Sequence, residues 1–176
     1  MAGSLIEINA VVSDGSSTSA KVTGIDSTYD NYIVTVNNAT PETSNADLQY
    51  RLTEGGTANS TSNYDSGSVF LRSDNNTFDK AGSTNNDKLF FTGSLENDAH
   101  ATVNGIIYLF NANNSSEYTY GTSETVYQAE DGTILGNNSG FTFTVTSAVD
   151  GVEFFMADPS SNIRSGARFV LFGLKK

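Results

Sequence analysis

Phe141-Thr142-Phe143-Thr144-Val145-Thr146 alternates apolar and polar side chains without a break, as expected of a β-strand with one buried face. Two short apolar runs follow it, Val152-Glu153-Phe154-Phe155-Met156 and Phe169-Val170-Leu171-Phe172. Turn-forming pairs, Asp150-Gly151 and Ser165-Gly166, precede these runs. The last third of the chain therefore predicts three strands and no helix. Its residues suit packing and turns, so this stretch indicates a fold and not a reaction.

The same strand pattern extends back to the start of the chain, and helical periodicity is nearly absent. The remaining predicted strands are residues 5–12, 20–22, 32–36, 48–53, 68–72, 88–92, 104–110, 118–120 and 125–127. Clusters of Asn, Asp, Gly and Ser separate them. We therefore predict one all-β domain over residues 1–176. Its architecture is an antiparallel two-sheet sandwich, jelly-roll-like, with about ten to twelve short strands.

The pattern also makes finer predictions, each tied to one segment. Residues 54–67 read as a long surface loop anchored only by Tyr64, and residues 82–86 and 137–140 read as turns. Residues 118–120 and 125–127 would pair with each other as separate strands. The run 104–110 would be buried on both faces. The closing strand, residues 167–174, is apolar on both faces and is therefore expected at the centre of a sheet.

The composition supports a folded chain with polar connections. Asn, Ser, Thr and Gly make up 77 of the 176 residues, while 11 Phe and 8 Tyr supply a core. The polar residues cluster between short apolar runs, so we read them as turns and not as disorder of the whole chain. Disorder of individual loops remains open.

Net charge narrows the class of partner. The chain carries a formal charge of −11, which disfavours nucleic acid and anionic membranes because both must be met by clustered Lys and Arg. The acidic balance favours solubility or, alternatively, adaptation to salt water. There is no cysteine, no membrane-length apolar run, and no signal peptide in the start Met1-Ala2-Gly3-Ser4. We expect synthesis in a cytoplasm.

Candidate chemical groups are few. His100 is the single histidine, and no Gly-x-Ser-x-Gly motif accompanies it, so a loop histidine is the preferred reading. Acidic residues that could form a glycosidase pair are Glu117, Glu124, Glu130, Asp131 and Glu153. We expect no enzyme, no catalytic residue and no cofactor. A calcium site built from residues 74–79 or 85–87 remains open, although such clusters also form ordinary turns.

One block is more specific than pattern. Gly24-Ile25-Asp26-Ser27-Thr28-Tyr29-Asp30-Asn31-Tyr32-Ile33-Val34 resembles a recurring block of small virion-associated proteins of tailed bacteriophages, especially marine and cyanobacterial phages. Further short matches, in the same order, are Asp47-Leu48-Gln49-Tyr50-Arg51, Tyr108-Leu109-Phe110-Asn111, Thr146-Ser147-Ala148-Val149-Asp150-Gly151-Val152 and Asn162-Ile163-Arg164-Ser165-Gly166. The resemblance spans residues 5–174. The family pattern usually has an acidic residue at Arg164 and often Tyr at Phe172.

The resemblance implies a jelly-roll-like virion structural protein. Within that class we expect a capsid decoration or cement protein that docks on the particle as a homo-oligomer, with a trimer favoured. Its partners would be the major capsid protein or other virion proteins. The alternative is a tail-associated receptor- or glycan-binding module, with residues 54–67 and the group Tyr118, Tyr120 and Tyr127 as its surface.

Overall fold

The computed structural model describes residues 4–76 and 78–175, and this part of the chain consists of strands and turns without a helix. The described residues form thirteen strands. They are β1 (Ser4–Val12), β2 (Ser19–Thr23), β3 (Asn31–Ala39), β4 (Leu48–Glu54), β5 (Thr57–Ala58), β6 (Tyr64–Arg72), β7 (Asp79–Asn86), β8 (Leu89–Phe90), β9 (Val103–Phe110), β10 (Thr119–Gln128), β11 (Ile134–Phe143), β12 (Gly151–Met156) and β13 (Arg168–Lys175). Within the described residues, no helix could span a membrane.

The strand order is that of a jelly roll. Four neighbouring strands of the larger sheet, in the order β1-β13-β3-β9, face the smaller sheet, in which β2, β12, β4 and β8 are neighbours in that order and the short β5 also pairs with β4. Neighbouring strands in both sheets run antiparallel. The predicted all-β, jelly-roll-like sandwich is therefore confirmed, with thirteen strands in place of about ten to twelve.

Two insertions enlarge the first sheet at one edge. The segment β5–β7 lies between β4 and β8 in the chain, and the hairpin β10–β11 lies between β9 and β12. Their longer strands continue the sheet from β9 in the order β10-β11-β6-β7, which makes eight strands in total. The eight-stranded sheet has an inner face, which packs on the smaller sheet, and an outer face.

Aromatic rings from both sheets fill the space between them. The rings of Phe154 on β12 and Phe169 on β13 lie 4.9 Å apart, centroid to centroid. Tyr50 on β4 packs edge-on against Phe141 on β11 at 5.7 Å and against Phe91 at 6.0 Å. One cluster of buried side chains runs through both sheets.

The closing strand lies where the sequence predicts it. β13 pairs with β1 on one edge and β3 on the other, so it is not an edge strand. Phe169, Val170 and Leu171 are fully buried, whereas Leu174 remains 37% exposed. The predicted interior position is confirmed for the first part of the strand.

The prediction of one long surface loop over residues 54–67 is wrong. It contains β5 and the start of β6, and Tyr64 fixes it by accepting a hydrogen bond from the Leu52 N–H (3.1 Å) and donating one to the Asn59 carbonyl (2.9 Å). The side chains of this segment are mainly polar, so alternation is weak. Strand β6 forms because its backbone pairs with β11 on one side and with β7 on the other.

Four other predictions about single segments differ from the structure. Residues 82–86 belong to β7, and residues 137–140 lie within β11, since interstrand hydrogen bonds outweigh the turn preference of Asn and Gly. Residues 118–120 and 125–127 do not pair with each other, because β10 is continuous from 119 to 128. Strand β9 is buried on one face only: Tyr108 and Phe110 are 36% and 38% exposed on the other.

Candidate functional site

His100 lies in a turn between β8 and β9, and its side chain is exposed. Its backbone N–H donates to Asp98 Oδ1 at 2.9 Å, which is an ordinary turn contact. The loop interpretation of this histidine agrees with its position.

The acidic candidates are dispersed over the molecule. Glu153 lies on β12 of the smaller sheet, with its Oε1 3.8 Å from Lys21 Nζ, whereas Glu124 lies on the outer face of β10. Glu117 accepts a hydrogen bond from Asn111 Nδ2 at 2.9 Å, and Asp131 caps the turn before β11. Glu124 and Glu153 lie on different sheets and face away from each other, so these two carboxylates do not flank a common site.

The two calcium candidates are engaged by basic side chains. Arg72 donates to both oxygens of Asp74 at 2.8 Å and lies 3.5 Å from Asp79, and this lowers the pKa of Asp74. Asp87 pairs with Arg51 at 2.8 Å and Lys88 at 3.1 Å. Thr77, in the first candidate segment, lies outside the described residues. Among described residues no group of three or more acidic or histidine side chains could hold a metal ion.

The predicted tyrosine group is only partly assembled. Tyr118 and Tyr120 are 41% and 49% exposed, but Tyr127 is 2% exposed. Its hydroxyl accepts the Gly93 N–H at 3.0 Å inside the sandwich. Tyr120 and Tyr127 are an odd number of residues apart in one strand, so their side chains point to opposite faces. Two aromatic residues that the sequence reading did not select, Tyr108 and Phe110, lie on the same face as Tyr120.

The molecule also contains buried polar atoms without a hydrogen-bond partner among the described residues. They are the Tyr50 hydroxyl, Thr119 Oγ1, Ser123 Oγ, Asn137 Oδ1 and Ser147 Oγ; the first four belong to residues that are 0–1% exposed, and Ser147 is partly buried. Burial raises the pKa of Tyr50 well above its ordinary value, so it remains a neutral phenol. Because these groups do not reach the surface, we assign them to the core.

The outer face of the eight-stranded sheet carries ten of the fourteen exposed large apolar side chains among the described residues. The strongly exposed apolar side chains on it are Leu5, Val12, Val69, Leu71, Tyr108, Phe110, Tyr120, Val126, Ile134 and Leu174. On its β1–β13 side the charges Glu7 and Arg168 lie 3.4 Å apart. Groups of exposed apolar side chains on one face often mark interaction sites in soluble proteins.

A shallow groove of about 520 Å³ crosses the other half of this face. Strands β9, β10, β11, β6 and β7 contribute to it. Its lining includes Phe110, Tyr120, Thr122, Thr142, Gly140, Gly67, Asp65 and Thr84. We call it the outer groove. Cross-strand pairing joins Phe110 to Tyr120, and Gly140 to Gly67, so the aromatic rings form one wall beside a floor of backbone.

A second cavity, of about 580 Å³, opens between the inner face of β6–β7 and the segment around β8. Serine hydroxyls, Phe70, Phe90 and Asp47 line it. Burial raises the pKa of Asp47, an effect that Gln49 and Lys88 partly offset. A single carboxylate among hydroxyls offers binding groups but neither a nucleophile–base pair nor a metal set.

No family model, no curated protein sequence and no solved structure matches this chain. The functional proposals below therefore rest on the sequence resemblance over residues 5–174, on the fold and on the surfaces of the protein.

Proposed function

We propose that this chain is a structural protein of a bacteriophage virion. More specifically, we propose a capsid decoration or cement protein that docks on the particle surface as a homo-oligomer. Support comes from the ordered resemblance over residues 5–174 and from the jelly-roll strand order. The observation that carries the docking role is the apolar outer face of the eight-stranded sheet. We assign the chain no catalytic residue. It is made in the host cytoplasm and resides on the virion.

The docking face we propose is the part of the outer face formed by β1 and β13. Leu5, Val12 and Leu174 are 51%, 60% and 37% exposed there. The nearby charges of Glu7 and Arg168 offset each other, which lowers the cost of covering them in a protein of net charge −11. A few strands offer a modest contact area, and a trimer would strengthen it by engaging several copies at once. The partner is the major capsid protein or a neighbouring virion protein.

The first test is the composition and map of purified particles. Mass spectrometry is expected to find this polypeptide, and a particle reconstruction to place it on the capsid with β1 and β13 against its neighbour. Its absence from the particles would refute the proposal.

A second test uses exposed positions that do not affect the core. Val12→Asp in the docking face is expected to lower occupancy on particles. Phe90→Asp changes another exposed apolar residue, on the smaller sheet (41% exposed, against 60% for Val12), and serves as the control that is expected to keep full occupancy. Equal occupancy of both variants would contradict this choice of face.

The second candidate function is a tail-associated receptor- or glycan-binding module. The observation that favours it is a pair of exposed rings: Tyr120 lines the outer groove, and Tyr118 lines a neighbouring depression to which Tyr120 also contributes. A glycan array and cell-binding assays with the isolated protein separate it from the first candidate. Specific binding with micromolar affinity would favour this function, and its absence the capsid role.

A further inference from the structure

We propose that the outer groove is a binding site for a neutral saccharide, with the rings of Tyr120 and Phe110 as its stacking platform. This inference gives the second proposed function a site and a ligand class. It does not require the chain to be part of a virion, because it concerns the isolated protein.

The floor of the groove is glycine at positions where the fold does not need glycine. Gly67 on β6 and Gly140 on β11 pair directly across the two strands. Neither has a positive φ, and a Cβ built on either would meet no atom within 4 Å. Glycine in a strand interior costs stability, so a side chain here would suit the protein's own folding better. What the two glycines provide is open space above the backbone, where a ligand can approach closely.

The wall of the groove is aromatic and accessible. Tyr120 is 49% exposed and Phe110 is 38% exposed, and they occupy directly paired positions on β10 and β9. A pyranose ring has an apolar face of C–H bonds and a rim of hydroxyls, so it can cover such a ring while it keeps its polar groups free. Tyr120 also adds a phenol hydroxyl at the groove's margin.

Polar groups border the same space. Thr122 and Thr142 flank Tyr120 and Gly140 in the pairing of β10 with β11. Asp65, opposite Thr142 on β6, accepts the Asn85 N–H through Oδ1 at 2.8 Å, which fixes its carboxylate. We assign Asp65 Oδ2 and the two threonine hydroxyls to the hydroxyl groups of the sugar. A small number of polar groups beside apolar walls is the usual composition of a ligand site.

Charge determines which saccharide class fits. The groove contains the carboxylate of Asp65. Glu124, two residues after Thr122 on β10, lies on the same face. The whole chain has a formal charge of −11. Sulfated or uronic polymers would meet like charge, so a neutral saccharide is favoured.

The test is calorimetric titration of the full chain with neutral cello-, xylo-, manno- and chito-oligosaccharides, and with a sulfated oligosaccharide for comparison. We expect at least one neutral series to bind and the sulfated probe not to bind. Tyr120→Ala is expected to weaken binding about tenfold, in line with the loss of one stacking contact. Phe90→Ala, an exposed aromatic residue outside the groove, is the matched control and is expected to leave binding unchanged.

The most discriminating variants fill the floor. Gly67→Val and Gly140→Val each add a side chain where the protein has room, and β-branched residues suit strands. Both are expected to melt at or above the temperature of the parent chain and to lose saccharide binding. If they bind as well as the parent, the groove is not the site.

Other results would also overturn the proposal. These are no binding of any neutral probe, preference for the sulfated probe, or equal loss of affinity in Phe90→Ala. If the valine variants change the oligomeric state measured by light scattering, the groove is a contact between copies and not a sugar site. Particle composition tests the virion role separately, so failure of one idea leaves the other measurable.

Discussion

Replacement of Phe169 by Ala tests the orientation of the closing strand and thus the whole sandwich. Phe169 is fully buried, and its ring lies 4.9 Å from that of Phe154 on the opposite sheet. Phe172, three residues along β13, lies on the outer face and is only partly buried. Both residues are phenylalanines on the same strand, but Phe169 faces the core and Phe172 faces outward, so each serves as the control for the other.

The expected costs differ by a measurable amount. Removing a buried phenylalanine ring lowers the free energy of unfolding by about 3–5 kcal/mol, because the transfer free energy is lost and a cavity remains. Phe172→Ala removes a partly exposed ring and is expected to cost about 1 kcal/mol. Against a total stability of about 5–15 kcal/mol, the Phe169 change is large without abolishing folding in most of that range.

Urea denaturation at 25 °C gives these values. The chain has no Trp and 8 Tyr, so tyrosine fluorescence and circular dichroism are the two probes, and their transitions should coincide. The dependence of the unfolding free energy on urea concentration is expected to stay constant, while the urea concentration at the midpoint of unfolding falls. If Phe172→Ala costs as much as Phe169→Ala, or if Phe169→Ala costs less than about 1 kcal/mol, the inner and outer faces have been assigned the wrong way round.

Three further predictions concern other parts of the molecule. Truncation after Gly166 removes β13, the strand to which β1 pairs, and is expected to abolish cooperative melting; a melting temperature within a few degrees of the full chain would contradict this. Gly121→Ala would place a Cβ against the ring of Phe141, and we expect a loss of about 1–3 kcal/mol on urea denaturation, so a neutral effect would show that the core repacks freely. Burial raises the pKa of Asp47 above its ordinary 3.8, so the folded state holds this proton more tightly and its ionisation lowers stability as pH rises. Asp47→Asn is therefore expected to raise the melting temperature at pH 7 and to change it little below pH 3.8, and a lower melting temperature at pH 7 would contradict this.

The strands that the sequence predicted well are those in which apolar side chains recur at every second position or form an unbroken run. In β3, Tyr32, Val34 and Val36 are fully buried on one face, as their spacing predicts. Strand β12 and much of β13 were also predicted from their apolar side chains. In such strands burial of local side chains supplies both the pattern and the stabilising energy, so the pattern is readable.

The strands that were missed are stabilised by neighbours distant in the chain. β7 has the sequence Asp-Lys-Ala-Gly-Ser-Thr-Asn-Asn, which contains little apolar alternation, yet it pairs with β6 over residues 79–86. The interior of β11 is equally polar, and Asn137 there is only 1% exposed. Turn preferences of Asn and Gly are local, whereas the pairing that overrides them depends on the register of two other strands.

The outer groove could be found from sequence only in part. Tyr120 was selected on type, and the error over Tyr127 follows from splitting β10 into two strands, since one continuous strand puts the two residues on opposite faces. Gly67 and Gly140 lie 73 residues apart and become neighbours only through the register of β6 with β11. No local signal indicates that pairing, so the floor of the groove required the structure.

The two surfaces for which we propose a function lie on the same sheet, and the twist typical of such sheets would allow both to be used at once. In the strand order, β13 in the docking face and β11 in the groove are four steps apart. Neighbouring strands rotate by roughly 20–25° relative to one another, so the outer normals at the two strands differ by about a right angle. A particle covering β1 and β13 would then leave the groove directed sideways to solvent. The inserted strands β6, β10 and β11 contribute their inward-facing side chains to the core, whereas the proposed groove is built mainly from the outward-facing positions of β6, β7, β10 and β11, so substitutions at those outward positions would change the groove and leave the core intact.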